Sequence, residues 1–201
     1  MRKDALAFAL SGTFFGLLIG WIIGSQQARP AVTAPPPASA ASASSGSGAP
    51  APAFDAARAA ELERQANARP TDAAVRTALG NVYFDGERYD QAVTWYEAAL
   101  ALNPRDVDVS TDLAVAYYYT RQTDRALAQI DRSLQINPTH LKTLLNQGII
   151  RAFGKQDLQG AAESWQRVVD IAPSSEEGRR AQQGLDGLKA AHASAPGGAA
   201  P

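Results

Sequence analysis

Four prolines divide the middle of the chain into three segments of nearly equal length. They are Pro70, Pro104, Pro138 and Pro173, so the successive intervals are 34, 34 and 35 residues. A fixed period in this range indicates structural repeats that stack into a solenoid, because one repeat alone cannot bury its apolar face. Proline has no amide hydrogen and disfavours helix at the residue before it, so each proline is expected just after the end of a helix.

Matching residue types return at matching positions in the three segments, and each segment has the pattern of two amphipathic helices joined by a tight turn. Gly86 lies near the turn of the first segment. The third segment departs from the pattern at Gln147, Arg151 and Val168, and its extra residue is assigned to the turn at residues 155–160. The recurring residues are Leu79, Gly80, Tyr83, Ala92, Tyr96 and Ala99 in the first segment, Leu113, Ala114, Tyr117, Ala126, Ile130 and Ser133 in the second, and Gly148, Ala161 and Trp165 in the third.

This spacing of small, aromatic and proline residues resembles the tetratricopeptide repeat family over roughly half of the chain. The resemblance implies an all-α fold, a right-handed solenoid of three helix-turn-helix repeats with a capping helix at each end. The small residues Gly80, Ala114 and Gly148 would let the first helix of each unit approach its second helix. Alanines of the second helix would admit the large side chains of the first. The residues expected to fill the space between units are Tyr96, Ile130 and Trp165.

An uncharged run of twenty residues, 5–24, follows Arg2 and Lys3 at the start of the chain. A helix of this length spans roughly 30 Å, the thickness of a bilayer's hydrocarbon core, so the run predicts one transmembrane helix. Only Arg29 carries charge shortly after it, and the positive-inside rule therefore places residues 1–4 in the cytoplasm and the remainder outside. No small-x-small cleavage site follows, which favours an uncleaved anchor over a signal peptide.

Glycines recur at every fourth position of this run, at Gly12, Gly16, Gly20 and Gly24. Such residues share one helix face and allow a second helix to approach closely, as in the G-x-x-x-G motif. The alternative is that glycine is simply frequent in membrane helices. A packing face is the preferred interpretation, and it would allow a homo-oligomer to form through the membrane helix.

The remaining boundaries follow from composition and helix-capping residues. Residues 25–53 are almost entirely Ala, Pro, Ser and Gly, which predicts a disordered linker. Asp55 is placed to cap a first helix, and Ser174 and Glu177 have the spacing of a capping box for a last one. The predicted segments are a cytoplasmic terminus 1–4, a transmembrane helix 5–24, the linker 25–53, an N-terminal capping helix 54–69, repeats 70–104, 105–138 and 139–173, a C-terminal capping helix 174–191 and a disordered tail 192–201.

Residue types that carry chemistry are sparse. The chain has no cysteine, and its 19 basic and 20 acidic residues give no basic face of the kind that nucleic acids require. His140 and His192 lie far apart without an acidic partner at ligand spacing, so both are expected to be solvated, and neither a metal nor a cofactor is expected. Residues 148–156 resemble a phosphate-binding loop, but they are one residue too long and end in Gln156. The sequence therefore predicts a protein that is not an enzyme and binds no nucleic acid.

A binding groove is the remaining candidate site. In tetratricopeptide solenoids the first helices of successive units line a concave groove, and its residues are those that core packing does not use. Tyr117 is the packing tyrosine of its unit, so Tyr118 and Tyr119 are expected to point elsewhere, either to a partner or between units. The predicted groove residues are Asn81, Phe84, Asp85, Val115, Tyr118, Tyr119, Lys142, Leu145, Ile149 and Phe153.

Some family members hold the carboxy-terminal carboxylate of a chaperone with Lys and Asn in the first unit, Asn in the second, and Lys and Arg in the third. Asn81 and Lys142 match that pattern, whereas Thr77, Asp112 and Asn146 do not. A carboxylate clamp is therefore not expected. An apolar and aromatic groove suits a protein or peptide partner that presents an amphipathic helix or an extended segment.

The sequence as a whole predicts a non-catalytic, membrane-tethered scaffold for protein–protein interaction. Its repeats would lie on the periplasmic side of a bacterial inner membrane. One alternative is a subunit that holds apocytochrome during c-type cytochrome maturation, by analogy with the repeat modules of that pathway. Another is a structural membrane protein that assembles with itself through the glycine face.

Overall fold

The computed structural model describes residues 54–193, and within this range the chain forms helices and no strands. Each helix packs against the next one along the chain, and α4 also contacts α6, the first helix of the following unit. This confirms the predicted all-α repeat fold. The helices are α1 (Ala56–Ala68), α2 (Ala73–Asp85), α3 (Tyr89–Leu102), α4 (Val107–Tyr119), α5 (Thr123–Ile136), α6 (Leu141–Ile149), α7 (Leu158–Ile171) and α8 (Glu176–Ala193).

The predicted transmembrane helix and linker lie outside the described residues, as do the glycines of the packing face, Gly12, Gly16, Gly20 and Gly24, and the tail beyond residue 193. Between residues 54 and 193, no helix combines the length and the apolar character that crossing a membrane requires.

Aspartate side chains begin several of the helices. Asp55 Oδ1 accepts a hydrogen bond from the amide of Arg58 at 2.9 Å, as predicted, and Asp72, Asp106 and Asp157 cap α2, α4 and α7 in the same way. These caps satisfy amide groups that a helix N-terminus leaves without an intrahelical partner. At α8 the capping residue is Ser175, whose hydroxyl accepts from the Gly178 amide at 2.9 Å. The cap therefore lies one residue later than predicted, and the predicted capping box does not form, because the residue three after Ser175 is Gly178, which has no side chain.

Small residues set the spacing of the two helices within a unit. A Cβ atom at Gly80 would overlap the Tyr96 ring, and one at Gly148 would overlap the Trp165 indole. Ala114 is fully buried at the equivalent position of the second unit. This confirms that the first helix of each unit can approach the second because the side chain there is small. The alanines that receive the facing side chains, Ala92, Ala126 and Ala161, are also fully buried.

Neighbouring units are joined by a tyrosine that reaches back to an acid twenty residues earlier. Tyr83 Oη donates to Glu63 Oε1 at 2.5 Å, and Tyr117 Oη donates to Glu97. Since Glu63 of α1 occupies the place that Glu97 has in α3, α1 packs as the second helix of a preceding unit. In the third unit Arg151 replaces the tyrosine and donates instead to the Gly160 carbonyl at 3.1 Å.

The extra residue of the third unit lies inside a helix. Continuing from α6, residues Ile150–Lys155 form a π-helix, and only two residues separate it from α7, whereas three separate the helices of the other units. A π-helical turn takes up one additional residue while the backbone hydrogen bonds are kept, with i→i+5 spacing. The prediction that the extra residue lies in the turn at 155–160 is therefore wrong.

The turn within each unit contains one residue in the left-handed conformation. These residues are Glu87, Arg121 and Gln156, with φ of 58°, 63° and 57°. Gly86 is not the left-handed residue of its turn, since its φ is −86°. It is required for a different reason, because a Cβ there would lie 2.7 Å from Phe54 Cδ2. The glycine thus allows the residues preceding α1 to approach the first turn.

Candidate interaction surface on the first helices

The predicted groove residues lie on α2, α4, α6 and its π-helical continuation, and we call the surface they share the first-helix face. Asn81 and Asp85 are exposed. Leu145 and Ile149 are buried, at 5% and 8% exposure, so core packing uses most of both side chains. The half-buried members of the face are Phe84, Val115, Tyr118, Tyr119, Lys142 and Phe153.

Four aromatic rings lie together where the first two units meet, and we call Phe84, Tyr89, Tyr118 and Tyr119 the aromatic cluster. The Tyr89 and Tyr119 rings stack with centroids 4.3 Å apart, and Phe84 packs edge-on against them at 5.2 and 5.7 Å. The Tyr118 centroid lies 5.7 Å from that of Tyr119. Sequence reasoning did not include Tyr89, because it begins a second helix and reaches the face only through the turn.

The hydroxyl groups of this cluster remain protonated at neutral pH. Burial raises the pKa of Tyr89 to about 12. Burial also raises the pKa of Tyr119, and the neighbouring Tyr89 and Tyr118 hydroxyls raise it further. Each tyrosine of the cluster therefore combines an apolar ring with a neutral hydroxyl that can donate a hydrogen bond.

The three consecutive tyrosines have different surroundings. Tyr117 is buried, and the Arg125 guanidinium lies 4.1 Å from its ring centroid, so it is the packing tyrosine as predicted. Tyr119 belongs to the stacked pair with Tyr89. Tyr118 lies close to the third unit, because a Cβ at Gly154 would be 3.2 Å from its Cε2 atom. Both rings thus pack within the molecule and remain partly exposed.

Two polar contacts lie on the first-helix face, one within the first unit and one between the second and third units. The Tyr96 hydroxyl donates to Asn81 Oδ1 at 2.8 Å. Lys142 Nζ lies 2.6 Å from Asp112 Oδ1, which joins the third unit to the second. Burial raises the pKa of Asp112, although the Lys142 ammonium lowers it in part. The pair is therefore a partly desolvated contact between units.

His140 has partners that the sequence did not predict. Its Nε2 atom lies 3.4 Å from Asp108 Oδ1, and its Nδ1 atom lies 2.7 Å from the Thr143 hydroxyl. That hydroxyl lies 2.6 Å from the Thr111 hydroxyl of α4. The prediction of a solvated histidine without an acidic partner is wrong, because residues about 30 apart become neighbours when the units stack. In the described part of the chain, no three His, Asp or Glu side chains are grouped to hold a metal ion.

Comparisons with known proteins concern the repeat region. A family profile described as TPR repeat matches residues 70–120, which span the first unit and helix α4. A search of curated protein sequences gave no significant match.

Three solved structures show the range of the similarity. The first TPR of Spaghetti (RPAP3), bound to HSP90 peptide SRMEEVD, has 27% identity and a TM-score of 0.54, covering 61% of this chain and 94% of its own. The Sgt2 TPR domain from Aspergillus fumigatus has 23% identity and a TM-score of 0.56, covering 64% and 84%. MamA has 14% identity and a TM-score of 0.56, covering 68% and 91%. At identities below 25%, the last two demonstrate a shared fold alone.

Proposed function

The chain carries tetratricopeptide repeats, and from this premise we propose that it is a non-catalytic scaffold whose first-helix face binds a protein partner. The observation that carries the proposal is the presence of half-buried rings and polar groups on that face, which core packing uses only in part. Half-exposed aromatic side chains contribute strongly to binding, because they add apolar contact area with little loss of side-chain entropy. The similar repeat domain of Spaghetti (RPAP3), which is bound to an HSP90 peptide, supports a partner of the same kind for this chain.

The proposal includes a membrane tether and a location outside the cytoplasm. The uncharged residues 5–24 and the cations Arg2 and Lys3 before them support this arrangement. The Ala/Pro/Ser/Gly residues of 25–53 would let the repeats reach partners at some distance from the lipid. A scaffold of this design would recruit or hold another envelope protein without changing it chemically.

Site-specific photo-crosslinking in cells tests the proposed binding face. A photoreactive amino acid replaces Val115, which is half-buried on the first-helix face, and in a matched control it replaces Gln135, which is exposed on α5. A discrete heterologous adduct at position 115 that is absent at position 135 is the expected result. Equal adducts at both positions, or none at 115, would contradict binding by this face. An adduct containing only two copies of this chain would favour self-assembly.

A further inference from the structure

The first-helix face carries an unequal distribution of charge. The predicted groove residues include one acid, Asp85, and one cation, Lys142. Helix α4 adds two aspartates: Asp112, which contacts Lys142, and Asp108, one turn earlier. The remaining cations of these elements are engaged elsewhere. Arg76 donates to the Asp72 carbonyl, Arg151 to the Gly160 carbonyl, and Lys155 to Asp124.

The one cation of the face is already paired. Lys142 Nζ lies 2.6 Å from Asp112 Oδ1, with side-chain exposures of only 29% and 24%. A carboxylate that approached Lys142 would have to displace this ion pair and leave a partly desolvated Asp112 beside a second negative charge. Removing one partner of such a pair is costly, because the remaining charge has lost its water as well as its counter-ion.

The other groups around the Lys142–Asp112 pair also favour a positively charged ligand. Burial raises the pKa of the Tyr96 hydroxyl, and the carboxylates of Asp112 and Asp85 raise it further. The negative charges of these two aspartates therefore act together on this hydroxyl. The Tyr96 hydroxyl donates to Asn81 Oδ1. Asp108 lies on the same helix as Asp112 and is 71% exposed, with His140 Nε2 3.4 Å from its Oδ1 atom. The Arg58 guanidinium of α1 acts on Asp85. The three carboxylates Asp85, Asp108 and Asp112 outnumber the two cations beside them, Lys142 and Arg58, and this excess of negative charge complements a basic peptide.

We propose that Asp112 sets the charge preference of the first-helix face, so that the face rejects a terminal carboxylate and binds a peptide segment that carries lysine or arginine. This inference rests on the proposed function and specifies its partner. The cationic side chain would lie near Asp85, Asp108 and Asp112, while the apolar side of the segment contacts the aromatic cluster. The similar repeat domain of Spaghetti (RPAP3) is bound to the acidic peptide SRMEEVD, so the ligand proposed for this chain has the opposite charge.

Two peptides of equal length test the preference on the full-length chain purified in detergent. One is the acidic peptide SRMEEVD, and the other is an amidated peptide in which its three acidic residues are replaced by lysine. Fluorescence anisotropy is expected to give a Kd for the basic peptide at least about tenfold lower, a difference of roughly 1.4 kcal/mol. The preference should weaken between roughly 0.1 and 1 M salt, because the Debye length falls from about 10 to about 3 Å. Tighter or equal binding of the acidic peptide would overturn the inference.

Asp112→Asn should reduce the preference about tenfold or more, because it removes a carboxylate and releases Lys142. Asp124→Asn is the matched control, since it also breaks a lysine–aspartate pair of 2.6 Å, but one formed with Lys155 outside the groove positions. An equal effect of the two substitutions would refute the role of Asp112. Should Asp112→Asn lose its helical circular dichroism, the exposed pair Asp85→Asn and Asp108→Asn takes its place, with the same loss of preference expected.

The outcome also separates this inference from the proposed function. If neither peptide binds, the charge preference is refuted. The proposed function would still be decided by the crosslink at position 115. A crosslink at that position together with tighter binding of SRMEEVD would retain the scaffold and reverse the partner chemistry.

Discussion

At the scale of single residues, the turns hold strain that a substitution can relieve. Gln156 adopts a left-handed conformation with φ of 57°, and the amide of the next residue, Asp157, donates to the Arg151 carbonyl at 2.9 Å. The residues after Glu87 and Arg121 form the equivalent backbone hydrogen bonds, from amide to carbonyl, and both are 2.8 Å long. These bonds close the end of each first helix. The left-handed backbone conformation costs a residue with a Cβ atom roughly 1–2 kcal/mol, whereas glycine adopts it freely.

Gln156→Gly is therefore expected to raise the free energy of unfolding by about 0.5–1 kcal/mol, after the greater flexibility of glycine in the unfolded chain is subtracted. Urea unfolding followed by circular dichroism measures the change. Gln156→Ala is the control, because alanine keeps the Cβ and should leave stability within about 0.5 kcal/mol. A glycine variant less stable than the alanine variant would contradict the argument.

Alanine substitutions of the three consecutive tyrosines should lower the stability of the protein by different amounts, because the surroundings of the three rings differ. Tyr117→Ala removes a buried ring and is expected to cost about 3–5 kcal/mol. Tyr119→Ala loses the stacked contact with Tyr89 and should cost about 1–2 kcal/mol, while Tyr118→Ala should cost less than Tyr117→Ala. Thermal unfolding of the three variants gives the order. If all three lower the melting temperature equally, the rings are core, and the aromatic cluster cannot serve as a binding surface.

At the scale of helices, the period predicted the helix pairs because proline, small residues and large residues each have one role in every unit. Gly80 and Ala92 could be interpreted from position alone. The π-helix could not, since an extra residue changes the proline interval by one wherever it is inserted, and composition does not distinguish a longer turn from a wider helix. The capping residue Ser175 was missed for a related reason, because two adjacent serines offer the same side-chain chemistry.

Helix α8 completes the stack by covering the last unit. Trp165 is 2% exposed beneath it, a Cβ at Gly184 would lie 2.8 Å from the Trp165 ring, and Ala181 and Leu185 are buried in the contact. Ending the chain after Ser175 should expose the indole and lower stability by at least about 3 kcal/mol, since each large buried side chain contributes about 1.5–3 kcal/mol. Tryptophan emission should shift to the red. Ending the chain after Ala193 is the control and should leave both stability and emission unchanged.

At the scale of the whole molecule, the order of units followed from the sequence, but contacts across units did not. The contact of Tyr117 with Glu97 repeats the contact of Tyr83 with Glu63 one period later. Once the first contact is known, the period therefore predicts the second. The partners of His140 are different, because they depend on how side chains of two stacked helices meet. The same holds for Tyr89, which reaches the first-helix face only through a turn. Sequence reasoning therefore described the face by position and missed the contacts that give it charge and shape.

The orientation of the whole chain in a membrane is the remaining prediction, and it rests on Arg2 and Lys3 on one side of residues 5–24 and only Arg29 on the other. A reporter enzyme that is active only outside the cytoplasm should be active when fused after Pro201, because the side with more positive charge is retained in the cytoplasm. In the matched variant Arg2→Glu with Lys3→Glu, that bias is removed and reporter activity should fall. A silent fusion, together with activity of a cytoplasmic reporter at the same position, would show that the orientation is reversed, and the proposed partner would then have to be sought in the cytoplasm.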